Sequence, residues 1–228
     1  MRSSRRRRAA RLCALFAALV AGPAVAAQVL DFNQTGFRGD GVTRISGDSP
    51  LIVDGYSFAA AGSPGLDFFA IDDLAGKVGD GTPRLFAFNN ATVVLTSATG
   101  KPFDLLGTDF GGSWLEPGIR FRWADKIEIL GYRGANLAAQ AILDLDPNNA
   151  TLSPFLFDSQ FRGLSSVSFH GLGDIGAGIN NHEFALDNLV VSNVPEPETY
   201  AMLLAGLGLL AWRCRSRARG KRGGKRAD

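Results

Sequence analysis

Cysteine and histidine are scarce in this 228-residue sequence, and their scarcity excludes several kinds of site. The two cysteines, Cys13 and Cys214, both lie in the terminal segments, so residues 28–193 contain no disulfide, thiol nucleophile or thiolate metal ligand. The two histidines, His170 and His182, lack the additional, closely spaced ligands that a zinc-binding motif needs. The sequence also lacks the Gly-x-Ser-x-Gly elbow of serine hydrolases.

Basic residues are also scarce between Gln28 and Val194, where 10 of them accompany 19 acidic residues, for a charge of about −9. A nucleic-acid partner is therefore not expected, because phosphate binding needs clustered lysine and arginine. The other 14 of the 24 basic residues lie towards the two ends of the sequence, where they indicate membrane topology.

Long apolar runs are missing as well, and the first short one predicts a secretory signal peptide over residues 1–27. An arginine-rich start precedes the apolar residues 12–20, and small residues follow at 24–27, the pattern that signal peptidase recognises. Cleavage after Ala26 and cleavage after Ala27 fit this pattern equally well. The alternative is an uncleaved anchor helix, which the short apolar run and Gly22-Pro23 disfavour.

The region from residue 28 to residue 193 lacks helical periodicity and instead alternates short apolar runs with turn residues. This pattern predicts an all-β fold, a single antiparallel β-sandwich of jelly-roll type, as one domain. The predicted strands are 29–32, 41–45, 51–53, 56–59, 68–71, 84–88, 91–97, 103–106, 118–123, 126–132, 138–145, 152–157, 164–170 and 183–191.

Residues 194–228 form a distinct C-terminal segment. Val194, Pro195, Glu196 and Pro197 predict an extended, exposed spacer, because proline donates no backbone hydrogen bond. The uncharged residues 199–212 predict a transmembrane helix of roughly 22 Å, shorter than the ~30 Å hydrocarbon core. A basic cluster follows and favours the cytoplasm. Its arginines are Arg213, Arg215, Arg217 and Arg219.

This order of Pro-Glu-Pro, short apolar helix and arginine cluster resembles the PEP-CTERM sorting signal. Proteins of that family are secreted, exopolysaccharide- or biofilm-associated products of Gram-negative bacteria. The resemblance implies export across the inner membrane, removal of the leader by signal peptidase, and recognition of Pro195, Glu196 and Pro197 by an exosortase. The helix would lie in the membrane before processing, and the product would reach the cell surface or extracellular matrix. A plain tail anchor is the alternative.

Two short stretches also resemble the neighbouring first and last strands of carbohydrate-binding jelly rolls. They are residues 29–32 and residues 184–191. In such folds an aspartate in one of these strands often coordinates a structural calcium ion, which binds oxygen ligands. The resemblance makes Asp187 the first candidate calcium ligand and Asp31 the second. The alternative is that Asp187 and Asn188 cap a turn or hydrogen-bond the backbone.

Acidic pairs and one tryptophan are the remaining candidates for chemistry. A glycosidase needs two carboxyl groups about 5–10 Å apart. The available pairs are Asp72-Asp73, Asp144 with Asp146, and Glu116 near Trp114. These acidic pairs are explained by exposure to solvent on the protein surface, where carboxylates are common. We therefore expect a non-enzymatic protein. The rival functions are a carbohydrate-binding module, in which Trp114 stacks on a sugar, and a polysaccharide hydrolase.

Overall fold

The computed structural model describes residues 27–33, 43–45, 50–62, 68–72, 82–112, 124–146, 151–173, 182–194 and 204–210. Ala26–Val194 form one compact unit, called the body here. Residues 204–210 belong to a second unit and form a short helix.

The described part of the body consists of thirteen strands and one 3-10 turn, which covers Ser159–Phe161. The strands are β1 (Gln28–Leu30), β2 (Thr43–Ile45), β3 (Leu51–Val53), β4 (Tyr56–Ala61), β5 (Phe68–Asp72), β6 (Arg84–Phe88), β7 (Thr92–Ser97), β8 (Phe103–Gly111), β9 (Lys126–Arg133), β10 (Asn136–Asp144), β11 (Ser153–Leu156), β12 (Ser166–Leu172) and β13 (Phe184–Asn193).

The strands form two sheets in which every described pairing is antiparallel. The seven-stranded sheet has the order β11-β8-β13-β6-β5-β2, and β1 also pairs with β13. The six-stranded sheet has the order β10-β9-β12-β7-β4-β3. β13 is therefore an interior strand, and the last strand in sequence completes the centre of its sheet.

A single hydrophobic core contains side chains from both sheets. Along β7, Val93 and Leu95 are buried while Val94 and Thr96 are half-buried, which is the period-two alternation of a strand with one face in the core. Tyr56 of the six-stranded sheet packs edge-to-face on Phe103 of the seven-stranded sheet, with ring centroids 5.4 Å apart. Aromatic packing thus joins the two sheets directly.

The prediction of a mostly β protein with antiparallel sheets is confirmed, and the finer assignment of a single β-sandwich of jelly-roll type stays a prediction. Thirteen of the predicted strands overlap observed ones, and the predicted strand 118–123 lies outside the described residues, as does the predicted signal peptide. β8 is longer than predicted because it continues through Gly107. A side chain there would approach the Phe155 carbonyl oxygen at 3.0 Å and Leu156 at 3.3 Å, so glycine fits the pairing with β11 rather than ending the strand.

Gly171 in β12 provides a stability test, because a Cβ at this position would overlap the backbone carbonyl oxygen of His182 and approach the Cβ of His182 at 2.8 Å. Backbone atoms yield less readily than a flexible side chain. We therefore expect Gly171→Ala to lower the free energy of unfolding by about 1–3 kcal/mol, measured by urea denaturation.

The control is Gly134→Asn in the turn between β9 and β10. Gly134 has φ +62°, and a Cβ added to it would meet no other atom within 4 Å. Asparagine tolerates this backbone region. We expect a change of at most about 0.5 kcal/mol there. Equal denaturation midpoints for the two variants would contradict the close packing of Gly171 on His182.

Candidate functional site

The junction between the body and the C-terminal segment lies directly at the end of β13. The N–H of Val194 donates to the carbonyl oxygen of Pro102 at 3.3 Å, so Val194 is still attached to the body. Pro195, Glu196 and Pro197 follow at once and lie outside the described residues. The sorting segment therefore begins without any further linker.

The end of β13 is also held by a side chain from the other sheet. The Tyr56 hydroxyl donates to Oδ1 of Asn193 at 3.2 Å, while its ring packs on Phe103. Burial of the Tyr56 side chain, and secondarily the nearby Asp104 carboxylate, raise the pKa of this phenol above its ordinary value. The hydroxyl therefore keeps its proton and remains a donor to Asn193 at neutral pH.

The predicted membrane segment is described only over residues 204–210, which are helical. Within the described residues, no helix reaches the length and apolar character required to cross a membrane. The four arginines of the predicted basic cluster lie outside the described residues. They are Arg213, Arg215, Arg217 and Arg219.

Asp187, the first predicted calcium ligand, is 2% exposed and lies in a polar network on β13. Its Oδ1 accepts from the backbone N–H of Asn188 at 2.8 Å, and its Oδ2 accepts from the Thr82 hydroxyl at 3.4 Å. The Thr108 hydroxyl donates to the backbone carbonyl oxygen of Asp187 at 2.9 Å. Asn188 Nδ2 donates to Oδ2 of Asp109 at 2.8 Å. Both carboxylate oxygens of Asp187 thus accept hydrogen bonds from nearby groups.

Asp31, the second predicted ligand, comes directly after β1. It is half-buried, and its Oδ1 accepts from the backbone N–H of Asn33 at 3.3 Å. β1 pairs with β13 from Gln28↔Val191 to Leu30↔Leu189, as the resemblance of these stretches to first and last strands implies. The described residues contain no group of three or more histidine, cysteine or acidic side chains that is arranged to hold a metal. Calcium binding stays a prediction.

The remaining predicted residues are less informative. Trp114, Asp73 and Glu116 lie outside the described residues. Asp144 forms an ion pair with Lys126 at 2.6 Å, and the hydrogen bond to this carboxylate raises the pKa of Lys126. An ion-paired, largely exposed Asp144 matches the expectation of a solvated surface carboxylate.

Arg84 is a feature that sequence reasoning missed. It is 2% exposed, its Nη1 donates to the carbonyl oxygen of Thr82 at 2.8 Å, and its guanidinium lies 5.2 Å from the centroid of the Phe86 ring. Since Thr82 also donates to Asp187, the buried arginine and the buried aspartate share a partner. No sequence signal indicates this, because an arginine at the start of a strand is usually exposed.

Two histidine rings lie close together at the end of the body that is opposite to Val194. The rings of His170 and His182 lie with centroids 6.2 Å apart, although they come from separate segments of the chain. Nδ1 of His170 is 3.1 Å from the Thr92 hydroxyl, and Nε2 of His182 is 3.1 Å from the carbonyl oxygen of Gly173. Sequence spacing gave no indication of this proximity, which depends on the fold.

The outward face of the six-stranded sheet carries apolar and hydroxyl-bearing side chains. Leu130, Ser168, Val94 and Ala59 form one row across four strands, as their pairings show. The neighbouring row carries hydroxyl groups. Its members are Tyr132, Ser166, Thr96 and Ser57. All eight residues are half-buried, so this face is partly accessible to solvent.

Comparisons with solved structures show distant likenesses. The chain is similar to the Stig cyclase Fisc from Fischerella sp. TAU, with 12% identity, a TM-score of 0.42, and 75% of this chain and 99% of that chain covered. It is similar to the CBM51-2 and INT domains of Clostridium perfringens ZmpB, with 11% identity, a TM-score of 0.35, and 65% of this chain but 40% of that chain covered. It is also similar to CtCBM11, with 11% identity, a TM-score of 0.33, and 77% and 99% covered.

No curated protein matches this sequence. Residues 193–218, by contrast, match the PEP-CTERM protein-sorting motif. The match begins at Asn193, the last residue of β13, and continues past Arg217, so it includes the Pro-Glu-Pro sequence and the start of the basic cluster. This confirms the resemblance seen in the sequence. The chain therefore carries a PEP-CTERM protein-sorting motif, which implies a secreted protein processed by an exosortase.

Proposed function

We propose that this protein is a non-enzymatic β-sandwich component of the cell surface or exopolysaccharide matrix, held at the inner membrane until an exosortase cuts near Pro195–Pro197. The observation that carries the proposal is the position of the sorting motif. It starts at Asn193, and Val194 makes the last backbone hydrogen bond of the body among the described residues. A membrane protease would thus meet the proline-rich sequence directly after the last strand of the body.

The charge pattern supports this topology. Arginines precede the first apolar run and follow the second, and basic residues favour the cytoplasmic side of both. The body between them would then lie outside the cytoplasm. Signal peptidase would remove residues 1–27, and the short apolar segment near residues 204–210 would remain inserted until cleavage.

The composition of the product supports a structural role outside the cell. Processing at both ends removes Cys13, Cys214 and most basic residues, which leaves a cysteine-free body of about −9 charge. High net charge keeps a secreted protein soluble and spaced from like-charged neighbours. Among the described carboxylates, those of Asp104 and Asp187 accept backbone hydrogen bonds, and that of Asp144 forms an ion pair with Lys126.

Carbohydrate binding is a second candidate function, favoured by the outward face of the six-stranded sheet. A row of hydroxyl groups lies there beside a row that consists of Ser168 and three apolar side chains, and sugar rings present both kinds of surface. Tyr132 provides the aromatic ring of this face among the described residues. Trp114 remains a proposed stacking residue.

A structural calcium ion held by Asp187 and Asp31 also remains a proposal. The antiparallel pairing of β1 with β13 supports it, because it brings the two segments that carry these aspartates together. The hydrogen bonds from Asn188 and Thr82 to the Asp187 carboxylate support the alternative, in which Asp187 stabilises the backbone without metal.

Processing is tested by replacing Pro195, Glu196 and Pro197 with alanine in a bacterium that has an exosortase. We expect the uncut precursor to accumulate in the membrane fraction and the processed form to fall at least tenfold on immunoblots. Pro154→Ala in the exposed edge strand β11 is the matched control and should process normally. Unchanged processing of the triple variant would exclude this segment as the recognition site.

Carbohydrate binding is tested by screening the purified protein on a glycan array and then measuring affinity for any glycan that binds. We expect Tyr132→Ala or Trp114→Ala to weaken that affinity about 5- to 20-fold, because each removes an aromatic face. Val29→Ala, on the other sheet, should leave it unchanged. A screen in which no glycan is retained would count against this second function.

The calcium proposal is tested by thermal melting with and without a chelator. If Asp187 binds calcium, chelation lowers the melting midpoint of the natural protein, whereas Asp187→Asn removes this difference and adding calcium does not restore it. An unchanged midpoint after chelation would instead assign Asp187 to the hydrogen bonds with Asn188 and Thr82.

A further inference from the structure

The outward face of the six-stranded sheet carries most of the exposed apolar side chains of the body. Among the described residues of the body, the exposed large hydrophobic side chains are Val29, Ile52, Leu137, Ile142 and Leu156. Ile52, Leu137 and Ile142 pair with outward residues of the neighbouring strands. They therefore lie on this face, because directly paired residues point to the same side of an antiparallel sheet. The other two belong to the seven-stranded sheet.

This face carries little net charge, although the body as a whole carries about −9. The charged side chains among its described residues are Lys126, Glu128 and Asp144. Lys126 and Asp144 form an ion pair at 2.6 Å, and Gln140 Nε2 donates to Oε1 of Glu128 at 2.9 Å. One lysine and two carboxylates give the face a formal charge of −1, with histidine counted as neutral. Two copies of an acidic body repel each other least when they approach through such a face.

The two halves of this face differ in the size of their side chains. The half formed by β9 and β10 carries large side chains, which are Leu130, Tyr132, Leu137 and Ile142. The half formed by β7 and β4 carries smaller ones, which are Ser57, Ala59, Val94 and Thr96. Ile52, on the edge strand β3, is a large side chain beside the smaller half. The side chains of β9 and β10 thus extend further from the sheet than those of β7 and β4.

A twofold axis that runs along the strands, between β12 and β7, would place the large half of one copy on the small half of another. It sets β9 opposite β4 of the second copy and β10 opposite β3, while each row of paired residues stays opposite itself. Leu130 then faces Ala59 of the second copy. Leu137 faces Ile52, so the exposed apolar side chains of the two edge strands cover each other. The face is therefore complementary to itself, as a twofold interface requires.

The same arrangement separates the carboxylates of the two copies. Glu128 lies in one row with His170, Thr92 and Ala61. The twofold axis sets Glu128 of β9 opposite Ala61 of β4, and the Glu128 of the second copy lies on the other side of the axis. Like charges are thus not brought face to face, which would cost binding free energy.

The area of the face fits a specific but weak dimer. Six strands spaced by about 4.8 Å give a width of roughly 24 Å, and the stretch from Lys126 to Tyr132 gives a length of roughly 20 Å. Each copy would cover about 500 Å², or about 1,000 Å² in total, which is the lower limit of specific interfaces. Two twisted sheets can pack face to face in an aligned way.

We propose that the outward face of the six-stranded sheet binds a second copy of this chain, through a twofold axis parallel to the strands, so that the protein forms a weak homodimer. The contact buries exposed apolar side chains, packs large side chains against small ones, and joins the two acidic bodies through a nearly neutral surface. A glycan would need the same face, so sugar binding and dimer formation exclude each other there. The dimer does not depend on the proposed processing.

Disulfide crosslinking tests the arrangement on the full chain in mild detergent, with Cys13→Ser and Cys214→Ser. Leu137→Cys is combined with Ile52→Cys in one chain. The two positions are roughly 24 Å apart within a copy, too far for a disulfide, but they face each other between copies. We expect at least about fivefold more linked dimer than with Leu137→Cys and Val29→Cys, the matched control, because Val29 is 49% exposed but belongs to the other sheet.

Sedimentation equilibrium of the full chain measures the dimer itself. We expect Leu137→Lys to raise the dissociation constant of the dimer at least about tenfold, because the interface would bury the added charge in both copies. Leu156→Lys is the matched control and should leave the constant unchanged, since Leu156 is 81% exposed on the edge strand β11 of the other sheet.

The other outcomes would overturn the proposal. Equal dissociation constants for the two lysine variants would assign the association to another part of the chain, including its apolar segments. A chain that stays monomeric at about 0.1 mM would exclude the dimer. Crosslinking of position 137 to position 29 as strong as that to position 52 would exclude the twofold arrangement. A monomeric protein that retains a glycan, with weaker retention by Leu137→Lys, would assign the face to carbohydrate.

Discussion

The pairing of β13 is the constraint on which both the body and the junction depend. This strand pairs with β8 along one side, and with β6 and then β1 along the other. Its inward side chains, Phe184, Leu186, Leu189 and Val191, belong to the core. Because the last strand completes the centre of its sheet, the seven-stranded sheet is complete only when the chain as far as Asn193 is in place. The body and the sorting motif therefore adjoin in the sequence at Asn193 and Val194.

The Asp187 network has a physical explanation in the change of partner along β13. The register with β8 shifts between Asp187 and Val190, where β13 leaves β6 and begins to pair with β1, and Asn188 has φ +49°. Such a bulge leaves backbone groups without ladder partners. The Asp187 carboxylate accepts from the Asn188 N–H, and the Thr108 hydroxyl donates to the Asp187 carbonyl. Side chains thus provide hydrogen-bond partners for backbone groups at the point where the strand pairing is interrupted. Any calcium ion would add to this existing role.

The period-two pattern was sufficient to predict most strands, because alternation along β7, β9 and β12 follows directly from one buried face. The sorting motif was also predictable, since its residue order is local. The meeting of His170 with His182, and the link from Arg84 through Thr82 to Asp187, were not predictable. They depend on strand order and register, which no local pattern specifies. The length of β8 was missed because Gly107 looks like a breaker but allows close packing.

The position of the cut determines what remains of the fold. Among the described residues, the bond from Val194 to Pro102 is the last one that holds this end of the body, so a cut within 195–197 would leave the described partners of β13 in place. The Tyr56 hydrogen bond to Asn193 is also retained. A cut a few residues earlier would take Val191 out of the core and detach β1, which pairs at 189–191. A cut in this segment would therefore leave the described hydrophobic core intact.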